Sequence, residues 1–495
     1  MLHETLRKKY ELVIGLEVHC QMKTRTKLFC SCPNNFGDAP NTNVCPVCLG
    51  LPGALPVLSR EAVTLAVRAA LATECEVHET SIFARKNYFY PDLPKGYQIS
   101  QYDRPYATDG RIETLSPDGS SKTVRLERIH MEEDAGKLLH EGFSWSKDMS
   151  GVDLNRSGTP LIEIVSRPDM RSAQEATDYL QALKAILVYA GVSDCNMEEG
   201  SLRCDANVSV RERGASVLGT RAEVKNLNSF RNIGRAIEYE YERQVGLVEA
   251  GHRMVQETRL YRAEKDETAS MRSKEDAHDY RYFPEPDLPP LVISAEWRAD
   301  TRRSLPELPA AKRLRFVTEY GIPHYDAAVL TLAREVADFF EEVAKGCSNG
   351  KAASNWVMTE VMREMKNRDA HAETGDVSFA KWPITPASLA ELIRLVDDGT
   401  INGKTAKDVF ARMWTSGESP RAMVEREGLS QVSDSGAIDD AIREVIAGAA
   451  DQVATYKKGR TNTLGWFVGQ VMKKTGGRAN PKIVNDLVKS ALDRV

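Results

Sequence analysis

The chain has 495 residues, 42% hydrophobic and 28% charged, with a formal net charge of -5 at pH 7. This is the composition of an ordinary globular protein, too long for a single core and expected to divide into two or three domains. The slightly acidic balance excludes a general nucleic-acid coat, so any RNA contact falls to a local basic surface. No apolar run approaches the roughly 20 residues that span a bilayer, and the polar start, Met1 to Tyr10, lacks the apolar core of a signal peptide. The expectation is a cytoplasmic protein without membrane contact.

From residue 10 to about 290 short alternating strands dominate. In Leu12–Cys20, Leu12, Ile14, Leu16, Val18 and Cys20 point one way, and Gly15, Glu17 and His19 the other. A carboxylate and an imidazole two residues apart suit a shared divalent cation, although an exposed polar strand face gives the same pattern. Next come Cys30-x-Cys32 and Cys45-x-x-Cys48, whose short spacings and nearby Pro33 and Pro46 suit a tetrahedral zinc knuckle, with four free thiols as the alternative. Such a closed site braces a loop and takes no part in catalysis. The other five cysteines are scattered and read as small buried residues, not disulfides.

In Arg125–Asp134, Ile129, Met131 and Glu133 share one side, with His130 and Glu132 on the other. Glu163 interrupts an otherwise apolar strand, Leu161–Val165, where an acid is costly to bury without a cation or partner. A helix is predicted over 172–190, started by a Ser172/Glu175 capping box and ended by Gly191. In Leu202–Arg211 an apolar face opposes Arg203, Asp205, Asn207, Ser209 and Arg211, and Arg221, Glu223 and Lys225 repeat the pattern. Several such strands predict an antiparallel sheet with helices on its apolar side and an open polar cradle on the other.

The Pro-rich stretch 283–290 marks a boundary, and beyond it the periodicity is helical. Thr385 caps a helix with Pro386 first and Leu389, Leu392, Ile393 and Val396 in its stripe. Leu464, Phe467, Val468 and Val471 form another stripe, closed by Gly476 and Gly477. Asn480-Pro481 starts a last helix carrying Val484, Leu487, Val488 and Leu492. Here Lys457, Lys458, Arg460, Lys473, Lys474, Arg478, Lys482, Lys489 and Arg494 face only Asp451, Asp486 and Asp493, with Trp466 and Phe467 between. That excess suits a phosphate backbone, and equally a solvated helix face.

Familiar signatures are missing. There is no Rossmann glycine fingerprint, no GxSxG elbow, no Ser/Gly-rich amidase pattern and no cysteine in a glutaminase context. Gly399-x3-Gly403-Lys404-Thr405 is one residue short of a P-loop and follows a helix, so it reads as a helix C-cap and turn.

Longer blocks are more specific. They are Val13–His19, Arg85–Asp92, Lys95–Asp103, His130–Lys137, Asp153–Ile164, Met197–Asn207, Asn226–Phe230 and Asp279–Pro286. Through them the chain resembles the B-subunit family of the aspartyl/glutamyl-tRNA(Asn/Gln) amidotransferases along essentially its whole length. The resemblance implies an α+β fold: a cradle of the glutamine synthetase/guanido kinase kind over 1–293, an all-α helical domain over 294–410, and a basic helical tRNA-binding tail over 411–495. It implies ATP-dependent phosphorylation of the side-chain carboxylate of Glu-tRNA(Gln) and/or Asp-tRNA(Asn), then amidation. The ammonia would come from a separate glutaminase subunit, with a small third subunit completing a heterotrimer around the misacylated tRNA.

By the same resemblance Glu17, His19, Glu133 and Glu163 match the family's Mg²⁺ and nucleotide region. Glu132, Arg203 and Lys225 are taken as nucleotide-binding, and Lys86, Tyr88, Lys95 and Asp205 match the cradle and the ammonia path. Cys30, Cys32, Cys45 and Cys48 match the branch that carries Zn²⁺. A stand-alone ligase of free amino acids would have no use for the basic tail. A non-catalytic zinc-containing RNA-binding protein would leave Glu17, His19, Glu133 and Glu163 without purpose.

Overall fold

The computed structural model describes residues 3–115, 120–143, 146–273, 280–368, 383–430, 435–457, 463–475, 479 and 481–494. Among these the chain forms two compact units, one from residues up to 315 with 327–334, the other from 316–326 and from 335 onward.

The first unit is mixed α and β. Its central strand is β1, Tyr10–Gln21, whose even-numbered side chains from Leu12 to Cys20 are buried as the alternation predicts. Around it lie β2 (Ala84–Asn87), β3 (Tyr97–Ser100), β4 (Ser121–Glu133), β5 (Pro160–Ser166), β6 (Leu202–Glu212) and β7 (Ala222–Leu227). The large sheet runs Glu267–Ser273, Glu257–Arg262, β7, β6, β1, β5, β4, Ala107–Thr108, Glu76–Val77, with Arg111–Leu115 also on β4. Strands β2 and β3 form a small second sheet with Phe283–Pro284.

The expected antiparallel sheet needs one correction: β7 and Glu257–Arg262 are parallel. A parallel pair requires a crossover, and the helix Phe230–Glu249 lies between them in the chain. That helix, with Arg60–Ala72 and Ala173–Tyr189, packs on the apolar face in one continuous core. Each buried Leu, Ile or Val there contributes about 1.5–3 kcal/mol. Leu183→Ala, in the middle of a fully packed helix face, would cost about 2–5 kcal/mol.

Helix Ala173–Tyr189 begins as predicted, with Ser172 Oγ accepting from the Glu175 amide at 3.1 Å. The reciprocal half of the capping box differs, because Glu175 accepts from the Arg171 amide at 2.6 Å and pairs with Lys122. Gly191 follows the helix at φ +68, a left-handed turn that glycine adopts without strain.

The second unit is helical. Thr385 caps Pro386–Asp397, burying Leu389, Leu392 and Ile393. The near-P-loop is a turn, as read: Gly399 has φ +76, and Asn402 Oδ1 caps the next helix through the Thr405 amide at 2.9 Å. Farther on, Ile438, Ile442, Phe467, Val471, Val484, Val488 and Leu492 share one core. Gly476, Gly477 and Asn480 lie outside the described residues, as do Lys458, Arg460, Arg478 and the side chain of Lys482. Of the other tail cations, Lys457, Lys473, Lys489 and Arg494 are exposed and Lys474 pairs with Glu444. No helix among the described residues is long and apolar enough to cross a membrane.

Candidate functional site

Strands β4, β5, β1 and β6 lay their polar side chains out in rows. In the middle row His130, Glu163, His19 and Arg203 are successive cross-strand partners. One row toward one end are Glu132, Leu161 and Gln21; one row toward the other are Arg128, Val165, Glu17 and Asp205. Because side chains alternate along a strand, all of these project away from the helix-covered core.

The middle row converges. His19 Nε2 lies 3.3 Å from Glu163 Oε2 and 3.7 Å from Glu132 Oε1. His130 Nε2 lies 3.3 Å from the same Glu163 oxygen and 3.9 Å from Glu132 Oε2. One donor atom from each of His19, Glu132 and Glu163 fits within 4.8 Å of the others. Glu132 is 1% exposed and Glu163 8%, so two carboxylates are buried side by side, an arrangement that stands only with compensating positive charge. Imidazole nitrogen with hard carboxylate oxygens suits a divalent cation such as Mg²⁺ or Mn²⁺. His130 Nδ1 is buried with no hydrogen-bond partner.

Electrostatics follow from this crowding. Burial alone would lower the His19 pKa, but Glu163 and Glu132 raise it above the ordinary value. Burial opposes charge on Glu163, yet His130 and His19 hold its carboxyl well below the usual range. Glu17 is pushed up by burial and by the charge of Glu163, although Asn207 Nδ2 donates to it at 2.8 Å. Beside Glu17 an open groove of about 390 Å³ runs over Gly15, lined also by Arg128, Asn207, Leu218 and Arg221. At the other end Lys86 stays charged, because Glu132, Tyr282 and Glu163 outweigh its burial.

Glu133 points to the opposite side of β4. Its Oε1 accepts from the Ile99 amide at 2.9 Å and pairs with Lys95. Gln98 Nε2 donates to the Glu133 carbonyl at 2.6 Å, and Gln98 Oε1 in turn accepts from Tyr88 Oη at 3.1 Å. This group borders a cavity of about 190 Å³ whose wall includes Cys30, Cys48, Gly50 and Gly158.

The four cysteines meet, with Sγ atoms of Cys30, Cys32, Cys45 and Cys48 all within 4.8 Å of one another. Cys45 and Cys48 Sγ are 3.9 Å apart, close to the roughly 3.8 Å that tetrahedral zinc bonds of about 2.3 Å impose. The Cys45 amide donates to Cys48 Sγ at 3.2 Å. Fully buried Lys27 donates to the Asn43 carbonyl at 2.7 Å and lies 3.7 Å from Cys48 Sγ, offsetting thiolate charge. The Cys30 hydrogen bond, helped by Lys27, favours the thiolate at Cys48.

Residues 12–299 match the family model described as the GatB/GatE catalytic domain, and residues 338–492 the one described as the GatB domain. A protein of Geotalea daltonii is 55% identical over 484 residues, covering 98% of this chain and 99% of that one. Relatives from Carboxydothermus hydrogenoformans and Chlorobium limicola are each 53% identical, over 99% and 98% of this chain and 100% of theirs. All three are named as the B subunit of aspartyl/glutamyl-tRNA(Asn/Gln) amidotransferase. This chain belongs to that B-subunit family.

In this family member the expected residues separate into groups. His19 and Glu163 stand together with Glu132, which was expected at the nucleotide. Glu17 is one row away, and Glu133 is not with them but against Lys95. Asp205 accepts from Lys225 Nζ at 2.7 Å, and Lys225 also reaches Glu223. Arg203 donates to Asp134 Oδ2 at 2.7 Å, an oxygen shared with Gln21. Two further residues join the sites: His130, whose alternation with Glu132 puts it on the same face, and Lys27, which no local pattern marks.

Proposed function

We propose that this chain activates the side-chain carboxylate of Glu-tRNA(Gln) and/or Asp-tRNA(Asn) with ATP and then amidates it. Ammonia would be delivered by a partner glutaminase subunit, with a small third subunit completing the heterotrimer. The observation that carries this reading is the convergence of His19, Glu132 and Glu163 on one buried polar patch of the sheet.

A carboxylate oxygen is a poor leaving group, so the carboxylate first attacks the γ-phosphorus of ATP, expelling ADP. Ammonia then adds to the acyl carbon and phosphate leaves. His19, Glu132 and Glu163 would hold Mg²⁺, which would neutralise the phosphate charge when bound. His130 fixes the orientation of Glu163, and Glu17 faces the groove over Gly15, which has room for the nucleoside. Arg203 and Lys225 add positive charge along the cradle, beside Asp205. Lys86 lies where it can hold the reacting carboxylate in line. Lys95 and Glu133, on the other side of β4, with Tyr88 linked to them through Gln98, form a polar path for ammonia away from bulk water.

In this reading the cradle occupies residues 1–293 and is of the glutamine synthetase/guanido kinase kind. Helical residues 294–410 follow, and the basic tail 411–495 contacts tRNA in the cytoplasm. Zn²⁺ in the four-cysteine knuckle braces the wall next to Lys95. The test is a single-turnover assay of the assembled enzyme with Mg-ATP and misacylated tRNA. ADP formation should depend on the aminoacyl-tRNA and fall at least about a hundredfold in His19→Ala and Glu163→Gln. Wild-type phosphoryl transfer in both variants removes the site.

A further inference from the structure

Four tyrosines from three stretches of the chain form a ladder at the Glu132 end of the cradle. Tyr102 and Tyr282 are stacked, with ring centroids 4.2 Å apart and planes inclined by 7°. Tyr282 meets Tyr280 edge-on at 6.0 Å, and Tyr280 meets Tyr88 in the same way at 6.0 Å. Lys86 Nζ lies 5.1 Å over the Tyr280 ring. Tyr282, which backs Tyr102, senses the metal patch: burial, then Glu132 and Glu163 against Lys86, push it up to about 12.

The outer end is open. Tyr102 has one face against Tyr282 and is still 59% exposed. Simple core packing would bury such a ring. A rigid, backed aromatic face left toward solvent is instead what holds an unpaired base, because every base has a π-face to stack.

Two purines enter the proposed reaction, and the rows of the sheet give them different ends. The groove over Gly15 adjoins Arg128 and Glu17, one row from the metal patch on the side away from Glu132. That space suits the adenosine of ATP. The tyrosines lie at the Glu132 end, where a strand entering from solvent meets Tyr102 first. An amino acid esterified to a terminal adenosine carries its side-chain carboxylate beyond the ribose and the ester, a reach that extends from a base stacked on Tyr102 toward Lys86 and the metal patch.

We propose that the open face of Tyr102, backed by Tyr282, stacks the 3′-terminal adenine of the aminoacyl-tRNA and so aims its carboxylate at the metal patch. The proposal rests on the reaction assigned above and adds the group that positions its larger substrate.

The experiment uses the assembled amidotransferase with wild-type chain, Tyr102→Ala and Tyr102→Phe. The constants kcat and KM are measured separately for aminoacyl-tRNA and ATP, and fluorescence is read from tRNA ending in 2-aminopurine, which dims on stacking. Tyr102→Ala should abolish quenching and, with the ATP KM left in place, lower kcat/KM for aminoacyl-tRNA at least about tenfold, through KM and kcat together. Tyr102→Phe should restore both. Unchanged kcat/KM and quenching in Tyr102→Ala overturn the proposal. So does a rise confined to the ATP KM, which makes the platform the nucleotide's, or a general loss that Tyr102→Phe does not rescue, which makes the stack a brace. A wild-type enzyme showing no aminoacyl-tRNA-dependent turnover would instead overturn the assigned reaction, and the fluorescence would still decide the stacking.

Discussion

Glu132 and Glu133 are consecutive, yet their carboxylates serve opposite sides of one strand: Glu132 Oε1 lies 3.7 Å from His19 Nε2, whereas Glu133 Oε1 accepts from the Ile99 amide at 2.9 Å and pairs with Lys95. The division separates the His19–Glu132–Glu163 cluster from the cavity beside Lys95. Glu132→Gln is therefore expected to weaken Mg²⁺ dependence of ATP turnover, while Glu133→Gln leaves it near wild type. His130→Ala, which frees Glu163 to reorient, should lower Mg²⁺ affinity about 10–100-fold. Magnesium titrations of ADP release distinguish the three variants.

The Lys95–Glu133 pair is buried, with side chains 7% and 2% exposed. Removing either charge leaves the other buried without an opposite charge, at a cost of about 3–5 kcal/mol. Lys95→Met should lower the melting temperature sharply, and Lys95→Met combined with Glu133→Gln should recover much of the loss. Equal destabilisation of the single and double variants would mean the pair is not what matters.

Much of this division was legible in the chain. Period-two alternation in Leu12–Cys20 and Leu202–Arg211 marked both faces, because each strand puts apolar side chains on one side only. The same alternation set Glu132 with His130 and Glu133 with Ile129 and Met131. Grouping Glu133 with Glu17, His19 and Glu163 as carboxylates of one polar cradle, a grouping the family likeness repeats, runs against that alternation. What stayed invisible depends on segments far apart in sequence. Nothing local brings Tyr102 to Tyr282, buries Lys27 against Cys48, or runs β7 parallel to Glu257–Arg262.

The knuckle should bind one zinc, and Cys48→Ser should lose it and lower the melting temperature. Lys27→Met strands the Asn43 carbonyl and leaves the thiolates uncompensated. It is expected to release zinc to a competing chelator about 10–100-fold more readily. Identical chelator competition curves for Lys27→Met and wild type would contradict the charge argument.

Acid stability has a defined contributor at the start of β1. Arg211, whose Nε lies 2.7 Å from Glu11 Oε2, holds the Glu11 carboxyl below its ordinary value. A depressed folded pKa means the unfolded chain binds the proton more readily. The contribution is complete above about pH 4.3 and is lost as pH falls through the folded value. At 18% exposure it amounts to about 1 kcal/mol. Glu11→Gln should flatten the stability–pH curve on its acid side, as read by denaturant unfolding at stepped pH.

Tail cations are tested by salt dependence. Replacing exposed Lys473 and Lys489 with Ala should weaken tRNA binding and reduce the slope of log affinity against log salt by about one for each phosphate no longer neutralised. An unchanged slope makes these lysines a solvated helix face.

The central claim is a cation seated between β1, β5 and β4, and anomalous diffraction from crystals soaked in Mn²⁺ reads it directly. The account predicts a peak at bonding distance, about 2.0–2.3 Å, from His19 Nε2 and from carboxylate oxygens of both Glu132 and Glu163. A well-occupied manganese bound elsewhere in the cradle, with those three side chains contacting only one another, would contradict it.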